Sequence, residues 1–502
     1  MREEVRAPKV SAMTHGRRFD AGLLEWSAKL LDRIVFFCLL GLIVTTSIPY
    51  GTVEPWWEAV FECAVFGITA IWIFKVLVRG RWEVRGLSIL LPLILITVYA
   101  FAQTVEWPAW LVLGNGRLTA QHTLTIDRYQ TYLTARKALA LTLFLGLLLL
   151  HTSTPKRLRW LVRVVIGLGF ASALFGILRQ LLQSPDSPAG FLLPYLFYGM
   201  GYGQFIYHNA FSYLTEMVFA LLAGLVLGGG IRRDRALIYM AIALFVWTAF
   251  VFSNSRGGIL SFICQAIFLL VVSIGWYSAR RFSNGDESRH KWLTLLWTSV
   301  LLRVSVILLI AGVLAASVLW MGGEKLRVRL KEEQEFRQEG PERARRVDLW
   351  SDTWKLIKQN PWTGVGFGSY FLAIPQYQTV SGRLKFEQAH NDYLDLAANG
   401  GVVAVGLAGW FMVMVIRRAR SSLGSVDAYR RAACLGAVAG ILDVGVHSLL
   451  DFCLQVTSIA IVFGALVVIA VADNRVEATP DERKGKQTGA KNGVYSWKIG
   501  KS

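Results

Sequence analysis

The sequence has few charged residues for its length. Only 17% of its 502 residues are Asp, Glu, Lys or Arg, whereas 54% are hydrophobic and the mean hydropathy is +0.45. About a quarter of the residues of a soluble protein are charged. The composition therefore excludes an ordinary soluble protein and predicts a polytopic membrane protein.

The sequence also lacks the patterns of disulfide, metal and cofactor sites. Its five cysteines lie in or beside apolar stretches and form no Cys-x-x-Cys, which excludes a disulfide framework and a thiolate zinc site. The run Gly364-x-Gly366-x-Gly368 has no predicted strand before it and no lysine after it. It is therefore neither a dinucleotide fingerprint nor a P-loop, and it predicts a tight turn with positive φ. We expect no metal and no cofactor.

Positive charge is in clear excess, with 53 Lys and Arg against 34 Asp and Glu and a net charge of +19. These basic residues punctuate the hydrophobic stretches and form no separate basic domain, which argues against nucleic acid as a partner. In a membrane protein such an excess indicates cytoplasmic loops that meet anionic membrane lipid.

About twelve stretches approach the 20 apolar residues that a membrane-spanning helix needs. The fold class predicted is all-α: a polytopic integral membrane protein of about 12 transmembrane helices, with a long, partly helical periplasmic loop between spans 9 and 10. The first apolar run is long enough to stay as an anchor, so we expect no cleavable signal peptide. The candidate spans lie near residues 31–49, 57–78, 86–105, 136–151, 159–182, 209–228, 235–252, 257–276, 301–321, 401–416, 431–450 and 455–472.

Lysines and arginines are concentrated in alternate connections between these spans. Because cytoplasmic loops carry an excess of such residues, the pattern predicts that both termini are cytoplasmic. The opposite side then receives the long polar interval, since long loops cross the membrane largely regardless of charge. We predict an N-terminal bundle of about nine spans, a periplasmic loop domain, about three C-terminal spans and a basic cytoplasmic tail. These parts cover residues 1–321, 322–400, 401–472 and 473–502.

Two arginines of the polar interval are predicted to share one face of a helix. The segment 341–360 starts with a proline and is followed by an Asn-Pro stop, which favours a helix between them. At 3.6 residues per turn, Arg343 and Arg346 fall on the same stripe as Trp350 and Trp354. The stripe is typical of an interfacial helix with snorkelling arginines. It is also suited to a lipid phosphate, which guanidinium groups bind in bidentate fashion.

A histidine precedes the tenth predicted span. In the run Glu387-Gln-Ala-His390-Asn391, a helix would put the imidazole on the same face as Leu394 and Gly401. An isolated histidine is commonly a hydrogen-bonded structural residue. The place of His390 at a span mouth, beside carboxylates that could raise its basicity, also suits a general base. Glu387 and Asn391 are candidate substrate-binding neighbours.

Two short segments are predicted on the same side of the membrane. The turn Ser253–Gly258 carries Arg256 against the charge bias of the other short loops, which favours function over a snorkelling helix-end arginine. His208 and Asn209 begin the sixth span and are either a polar cap or part of the site. With the arginine helix and the histidine, these segments could enclose a positive site with apolar flanks, suited to a polyprenyl diphosphate.

The order and spacing of these motifs resemble a known family. SNSRGG at 253–258, RxxxW and NPWTGVGFGSY between 346 and 370, and AHNDYLDLAANGGV at 389–402 are similar to the O-antigen ligase / O-antigen polymerase superfamily of bacterial inner-membrane proteins. The resemblance is clearest over roughly 200–415. Family members often have an Arg-Asn-His run before the sixth span, whereas this chain has Tyr-His-Asn-Ala at 207–210.

The resemblance implies a metal-independent, inverting glycosyltransferase of the bacterial inner membrane with a periplasmic active site. Such enzymes pass a glycan from an undecaprenyl-diphosphate carrier to a hydroxyl acceptor. The acceptor is lipid A–core for a ligase of lipopolysaccharide biosynthesis, and another carrier-linked repeat for a polymerase. By position, Arg256 and Arg346, with Arg343, would hold the diphosphate. His390 would be the base, with Asn391 at the acceptor end.

Two other classes stay open. A membrane transporter would also have many spans with intramembrane polar residues, although neither an inverted repeat nor broken midplane helices are apparent. A non-catalytic assembly subunit is the other. Among the enzymes, the sequence does not decide between ligase and polymerase.

Overall fold

The computed structural model describes residues 13–79, 86–108, 122–183, 192–282, 346–378 and 386–472. The regular secondary structure of these residues is helical, with two isolated β-bridges and no strand among them. They form twelve helices of 13 residues or more. The helices are α1 (Met13–Thr45), α2 (Pro55–Arg79), α3 (Leu91–Gln103), α4 (Arg128–His151), α5 (Pro155–Leu182), α6 (His208–Leu227), α7 (Arg233–Ser253), α8 (Arg256–Phe282), α9 (Arg346–Gln359), α10 (Asp392–Leu423), α11 (Ala428–His447) and α12 (Thr457–Val471).

Six helices of the described residues are long and apolar enough to cross a membrane, namely α2, α4, α5, α6, α7 and α10. Shorter apolar helices lie at 87–103, 256–272 and Thr457–Val471. Every predicted span overlaps a helix except the ninth, 301–321, which lies outside the described residues. The all-helical prediction is confirmed and the six candidate spans agree with a polytopic membrane protein. The number of twelve spans and the four-part division of the chain stay predictions.

Helix α4 begins eight residues before the predicted span at 136–151. Asp127 caps it, accepting hydrogen bonds from the backbone N–H groups of the second and third helical residues. The predicted span started later because residues 128–135 are largely polar, and it carries Arg136 and Lys137 at its start. In the fold these two cations are paired with Glu62 and Glu58 of α2, so the helix carries them into the bundle.

The bundle is organised around α6, most of whose residues are buried. It crosses α11 in antiparallel fashion, with Gly224 facing Gly436 and Tyr213 facing His447. A Cβ on Gly224 would overlap the backbone of Gly436, so only glycine permits this approach. The crossing brings the start of α6 and the end of α11 to the same end of the bundle.

The described parts of the polar interval form a small core of their own. Helix α9 buries Leu349, Thr353 and Leu356, whereas Val347 is 66% exposed and Trp354 is 51% exposed. The predicted tryptophan stripe is therefore not the packed face of this helix. The face that carries Leu349 and Leu356 packs against the rest of the small core. The helical period of the sequence does not show which face of the helix will be buried. The remaining core residues are Ile357, Val365, Tyr370, Ala373, Ile374, Ala389 and Ala398.

The predicted glycine turn is confirmed. Gly364, Gly366 and Gly368 have φ of 65°, 101° and 75°. A Cβ on Gly366 would overlap the side chain of Thr125, so the turn lies directly on the segment before α4. Two backbone hydrogen bonds, from the N–H groups of residues 365 and 366 to α10 carbonyls, hold the other side. The turn thus joins the polar interval to the bundle.

Candidate functional site

The candidate residues meet at the connection between α11 and α12, residues 448–456, called the α11–α12 connector below. The N-terminal ends of α6, α8, α9 and α10 all lie beside it. Because backbone N–H groups at helix N-termini lack intrahelical acceptors, this convergence favours negative charge.

At the centre of the connector is Asp451, which is fully buried. Its carboxylate accepts hydrogen bonds from the Tyr207 hydroxyl, at 3.3 Å to each oxygen, and from Asn209 Nδ2. The backbone N–H of Phe452 donates to the same carboxylate at 2.9 Å. Asn209, a predicted substrate-binding residue, is therefore a direct partner of Asp451. Burial and the neighbouring carboxylate raise the pKa of Tyr207, which stays a neutral donor.

Arg346 reaches the connector from the first residue of α9. Its Nη1 donates to the Leu450 carbonyl at 2.8 Å, and its Nη2 is 3.9 Å from Asp451 Oδ2. The side chain is 49% exposed. A guanidinium group has five N–H donors. Because these two contacts use few of them, the exposed remainder can bind an anion.

His390 lies on the connector but not on a helix. Its φ is 49°, in the left-handed region, and α10 begins two residues later. The expected helical face with Leu394 and Gly401 is wrong, since Asn391 is the N-cap and the kink of α10 is at Gly401. The imidazole and the ring of Phe452 pack in a T-shaped arrangement, with their ring centroids 4.7 Å apart. Its Nδ1 is buried without a hydrogen-bond partner in the described residues.

The electrostatics of His390 also differ from expectation. Burial, followed by the positive charge of Arg346, lowers the pKa of His390, and the opposing effect of Asp451 is smaller. The carboxylate of Asp451 does favour a higher pKa, but burial and Arg346 outweigh it, so the predicted net increase in basicity is wrong. A lowered pKa favours the neutral imidazole, which is the form that accepts a proton.

The other candidates in this segment position His390. Asn391 accepts hydrogen bonds from the N–H groups of Tyr393 and Leu394 at 3.0 Å, and its Nδ2 donates to the Leu449 carbonyl at 2.8 Å. Trp350 Nε1 donates to the Ala389 carbonyl at 3.1 Å. Glu387 is exposed. The residues before and after His390 are thus held in place while the imidazole stays partly open.

Arg256 is the first residue of α8 and is exposed. The predicted tight turn before it is present, with Asn254 at φ 54° and Ser255 Oγ accepting from the Gly258 N–H at 3.2 Å. A Cβ on Gly257 would lie 3.6 Å from Leu450. The turn therefore lies close to the same connector residue whose carbonyl accepts from Arg346.

Two candidates remain. His208 is the first residue of α6 and half-buried, with its ring 5.5 Å from that of Tyr207. Arg343 lies outside the described residues.

Residues 239–411 match the family model described as O-antigen ligase. This match supports a place for the chain in the O-antigen ligase / O-antigen polymerase superfamily. The matched residues include Arg256, Arg346 and His390, which the structure brings to one connector. Among curated proteins, none matches the chain.

The O-antigen ligase match ends at residue 411, and Asp451 lies beyond it. Sequence reasoning missed this carboxylate, because it read residues 431–450 and 455–472 as spans and passed over the short polar gap between them. An acidic residue between two apolar spans is a signal that could have found it. No group of three or more His, Cys, Asp or Glu suited to a metal ion occurs in the described part of the chain.

Proposed function

We propose that the chain is an O-antigen ligase-type glycosyltransferase. It moves a glycan from an undecaprenyl-diphosphate carrier to a hydroxyl of lipid A–core or a similar acceptor, at the periplasmic face of the bacterial inner membrane. The observation that carries the proposal is the meeting of Arg346, His390 and the Arg256 turn at one connector, in a chain with an O-antigen ligase domain.

The first chemical task is to stabilise negative charge. As the bond between the anomeric carbon and the diphosphate oxygen breaks, charge develops on the leaving diphosphate. Arg346 offers exposed donors to it, and Arg256 begins a helix whose N-terminus also favours an anion. Groups of this kind, held in place before the reaction, lower the barrier without reorganising.

The second task is to remove the proton of the acceptor hydroxyl. The acceptor oxygen forms the new bond to the anomeric carbon, and its proton passes to the neutral imidazole of His390. Positioned bases of this kind contribute about 10²–10⁴-fold to a rate. The lowered pKa of His390 supports the role, since the imidazole is in the accepting form at neutral pH.

The membrane setting supports a lipid-linked donor. Six helices of the described residues have the length and composition of membrane spans, and side chains such as Ile259 and Leu260 near Arg256 are exposed on the bundle surface. An apolar surface next to a cationic turn matches a polyprenyl chain joined to a diphosphate.

Purified protein in proteoliposomes tests the proposal. With carrier-linked glycan and lipid A–core, and without an ion gradient, we expect glycan on the acceptor. Longer carrier-linked chains in place of that product would identify a polymerase. Glycan lipid that crosses the bilayer without any new glycosidic bond would overturn the proposal in favour of a transporter.

A further inference from the structure

A cluster of ionisable side chains lies inside the bundle below the α11–α12 connector. Glu216 of α6 and Asp443 and His447 of α11 are each no more than 1% exposed. Glu216 accepts hydrogen bonds from Ser212 Oγ at 2.7 Å and from Ser261 Oγ at 3.0 Å. His447 Nδ1 is 3.1 Å from Glu216 Oε2. These three residues are called the buried cluster below.

The members of the buried cluster depend on one another. The carboxyl groups of Asp443 and Glu216 face each other. Because like charges repel strongly in an apolar interior, the charge that each carboxyl group can carry depends on the other. The ring of Tyr213 stacks on the imidazole of His447 at 4.0 Å and fixes its plane. Ionisable groups inside membrane spans are costly and are therefore associated with function.

Helix α8 is seated directly on the buried cluster. A Cβ on Gly257 would lie 2.7 Å from His447 Nε2, and one on Gly258 would overlap the carboxyl group of Glu216. Because Gly257 and Gly258 have no side chains, the backbone of the first turn of α8 packs directly against His447 and Glu216. Ser255, the N-cap of α8, is 3.5 Å from His447 Nε2 through its hydroxyl, within reach of a weak hydrogen bond.

We infer that Glu216, Asp443 and His447 are positioning residues for Arg256. They hold the Ser255 cap and the first turn of α8, and through them they aim the guanidinium group at the diphosphate of the lipid carrier. The inference rests on the proposed function, because it assigns Arg256 to the carrier rather than to the acceptor.

A double-mutant cycle tests this assignment through carrier binding. The dissociation constant of undecaprenyl diphosphate and the carrier KM are measured for Glu216→Gln, for Arg256→Ala and for both together. We expect Glu216→Gln to raise both constants about tenfold and to leave the acceptor KM unchanged. In the Arg256→Ala background it should add less than about twofold, because the residue that it positions is already gone.

Gly257→Ala gives the same cycle without replacing any member of the buried cluster, since its Cβ would press on His447 Nε2 and disturb the contact between α8 and the cluster. Gly409→Ala is the matched control, because a Cβ there meets nothing within 4 Å. We expect carrier affinity to fall for the first and stay within twofold for the second. Wild-type carrier affinity in both Glu216→Gln and Gly257→Ala, or losses that multiply with that of Arg256→Ala, would overturn the inference.

The two proposals can fail separately. If the wild-type protein binds undecaprenyl diphosphate and shows the expected cycle but transfers no glycan, the proposed function fails and the positioning role stands. If it transfers glycan while Glu216→Gln behaves independently of Arg256, the positioning role fails alone. Thermal unfolding of each variant in detergent shows whether the fold is retained, and Ser255→Ala repeats the cycle should Glu216→Gln unfold.

Discussion

Each end of the helical bundle has an aspartate surrounded by polar side chains, and the two differ in how their charge is balanced. Asp32 of α1 is 2.6 Å from Lys75 Nζ, is paired with Arg157, and is 3.5 Å from His151 Nε2. At the other end, Asp451 accepts from the neutral groups of Tyr207 and Asn209, while Arg346 comes no closer than 3.9 Å. The cations around Asp32 are at most 19% exposed, whereas Arg346 is 49% exposed.

The two ends lie far apart along α2. Glu58, near the start of that helix, accepts from Thr457 at the connector end, and Lys75 follows 17 residues later. At 1.5 Å per residue the separation is roughly 25 Å. The Asp32 end has the features of a structural lock, with each charge paired. At the Asp451 end, Arg346 stays open to a ligand. The Asp32 end therefore has a structural role, whereas the Asp451 end is suited to a functional one.

Among substitutions that distinguish the two ends, removal of the proposed base should have the largest effect on activity. We expect His390→Ala to lower kcat for glycan transfer by about 10²–10⁴-fold, since His390 is the proposed acceptor of the hydroxyl proton. His151→Ala at the Asp32 end should keep kcat within twofold and lower the melting temperature instead. Transfer is measured in proteoliposomes. Near-wild-type kcat in folded His390→Ala would remove this residue from the mechanism.

The second largest effect on activity is expected from substitution of Arg346. We expect Arg346→Ala to reduce kcat/KM by about 10²–10³-fold, the size found when a donor to a developing anion is lost. Arg346→Lys should recover only part of it, because lysine keeps the charge but not the bidentate fork. Arg157→Lys is the matched control at the Asp32 end and should leave kcat/KM unchanged. Equal losses for both arginines would erase the difference between the two ends.

The pH profile sharpens the assignment of His390. The proton acceptor is the neutral imidazole, and burial lowers its pKa below 6.5. We therefore expect kcat/KM to be at its plateau at pH 7 and to fall about tenfold per pH unit only below the lowered pKa. Asp451→Asn should move this limb to still lower pH, because the carboxylate favours the protonated form. An acid limb at or above pH 7 would contradict the assignment.

Exchanging each aspartate for asparagine compares the ends directly. Asp451→Asn should lower kcat/KM about tenfold, since a hydrogen bond to a charged group contributes roughly 1.5–3 kcal/mol. Asp32→Asn should leave kcat/KM alone and destabilise the fold by roughly 2 kcal/mol. This destabilisation is smaller than that expected from breaking a fully buried ion pair, because the Asp32 side chain is 28% exposed. Stability is measured by thermal unfolding in detergent, and activity by the rate of glycan transfer. A loss of stability without loss of activity in Asp451→Asn, together with a loss of activity in Asp32→Asn, would refute the comparison.

The smallest effect is expected at Glu387. Its side chain is exposed, and an exposed carboxylate contributes little to binding or stability. Glu387→Gln should change kcat/KM by less than about twofold, in contrast to Asp451→Asn. A larger loss would restore Glu387 as a substrate-binding residue.

Much of the fold follows from local sequence. Apolar runs of about 20 residues predicted the helices, and three alternate glycines predicted a turn that needs positive φ. The failures share one cause. The exposed Trp354 and the buried Leu356 belong to stripes that local periodicity allows equally, and tertiary contacts chose between them. The conformation of His390 depends on the cap at Asn391, not on the helical period that follows.

The candidate site divides in the same way. Arg256, Arg346 and His390 could be found from motifs because each lies in a polar segment beside an apolar one. No motif identified Asp451 or the buried cluster, and their roles depend on partners such as Tyr207, 244 positions away in the chain. The ionisable residues inside the sixth and eleventh spans were nevertheless a readable signal.

By itself the sequence determined an all-helical, membrane-type chain with cationic and imidazole side chains next to its apolar stretches, because hydrophobicity and charge act locally. Tertiary structure alone decided that Arg346, His390 and the turn that carries Arg256 meet at one connector, that the pKa of His390 is lowered, and that Arg346 is left half exposed. Burial, distance and competition for hydrogen bonds depend on which helices pack together, and no single segment contains that information.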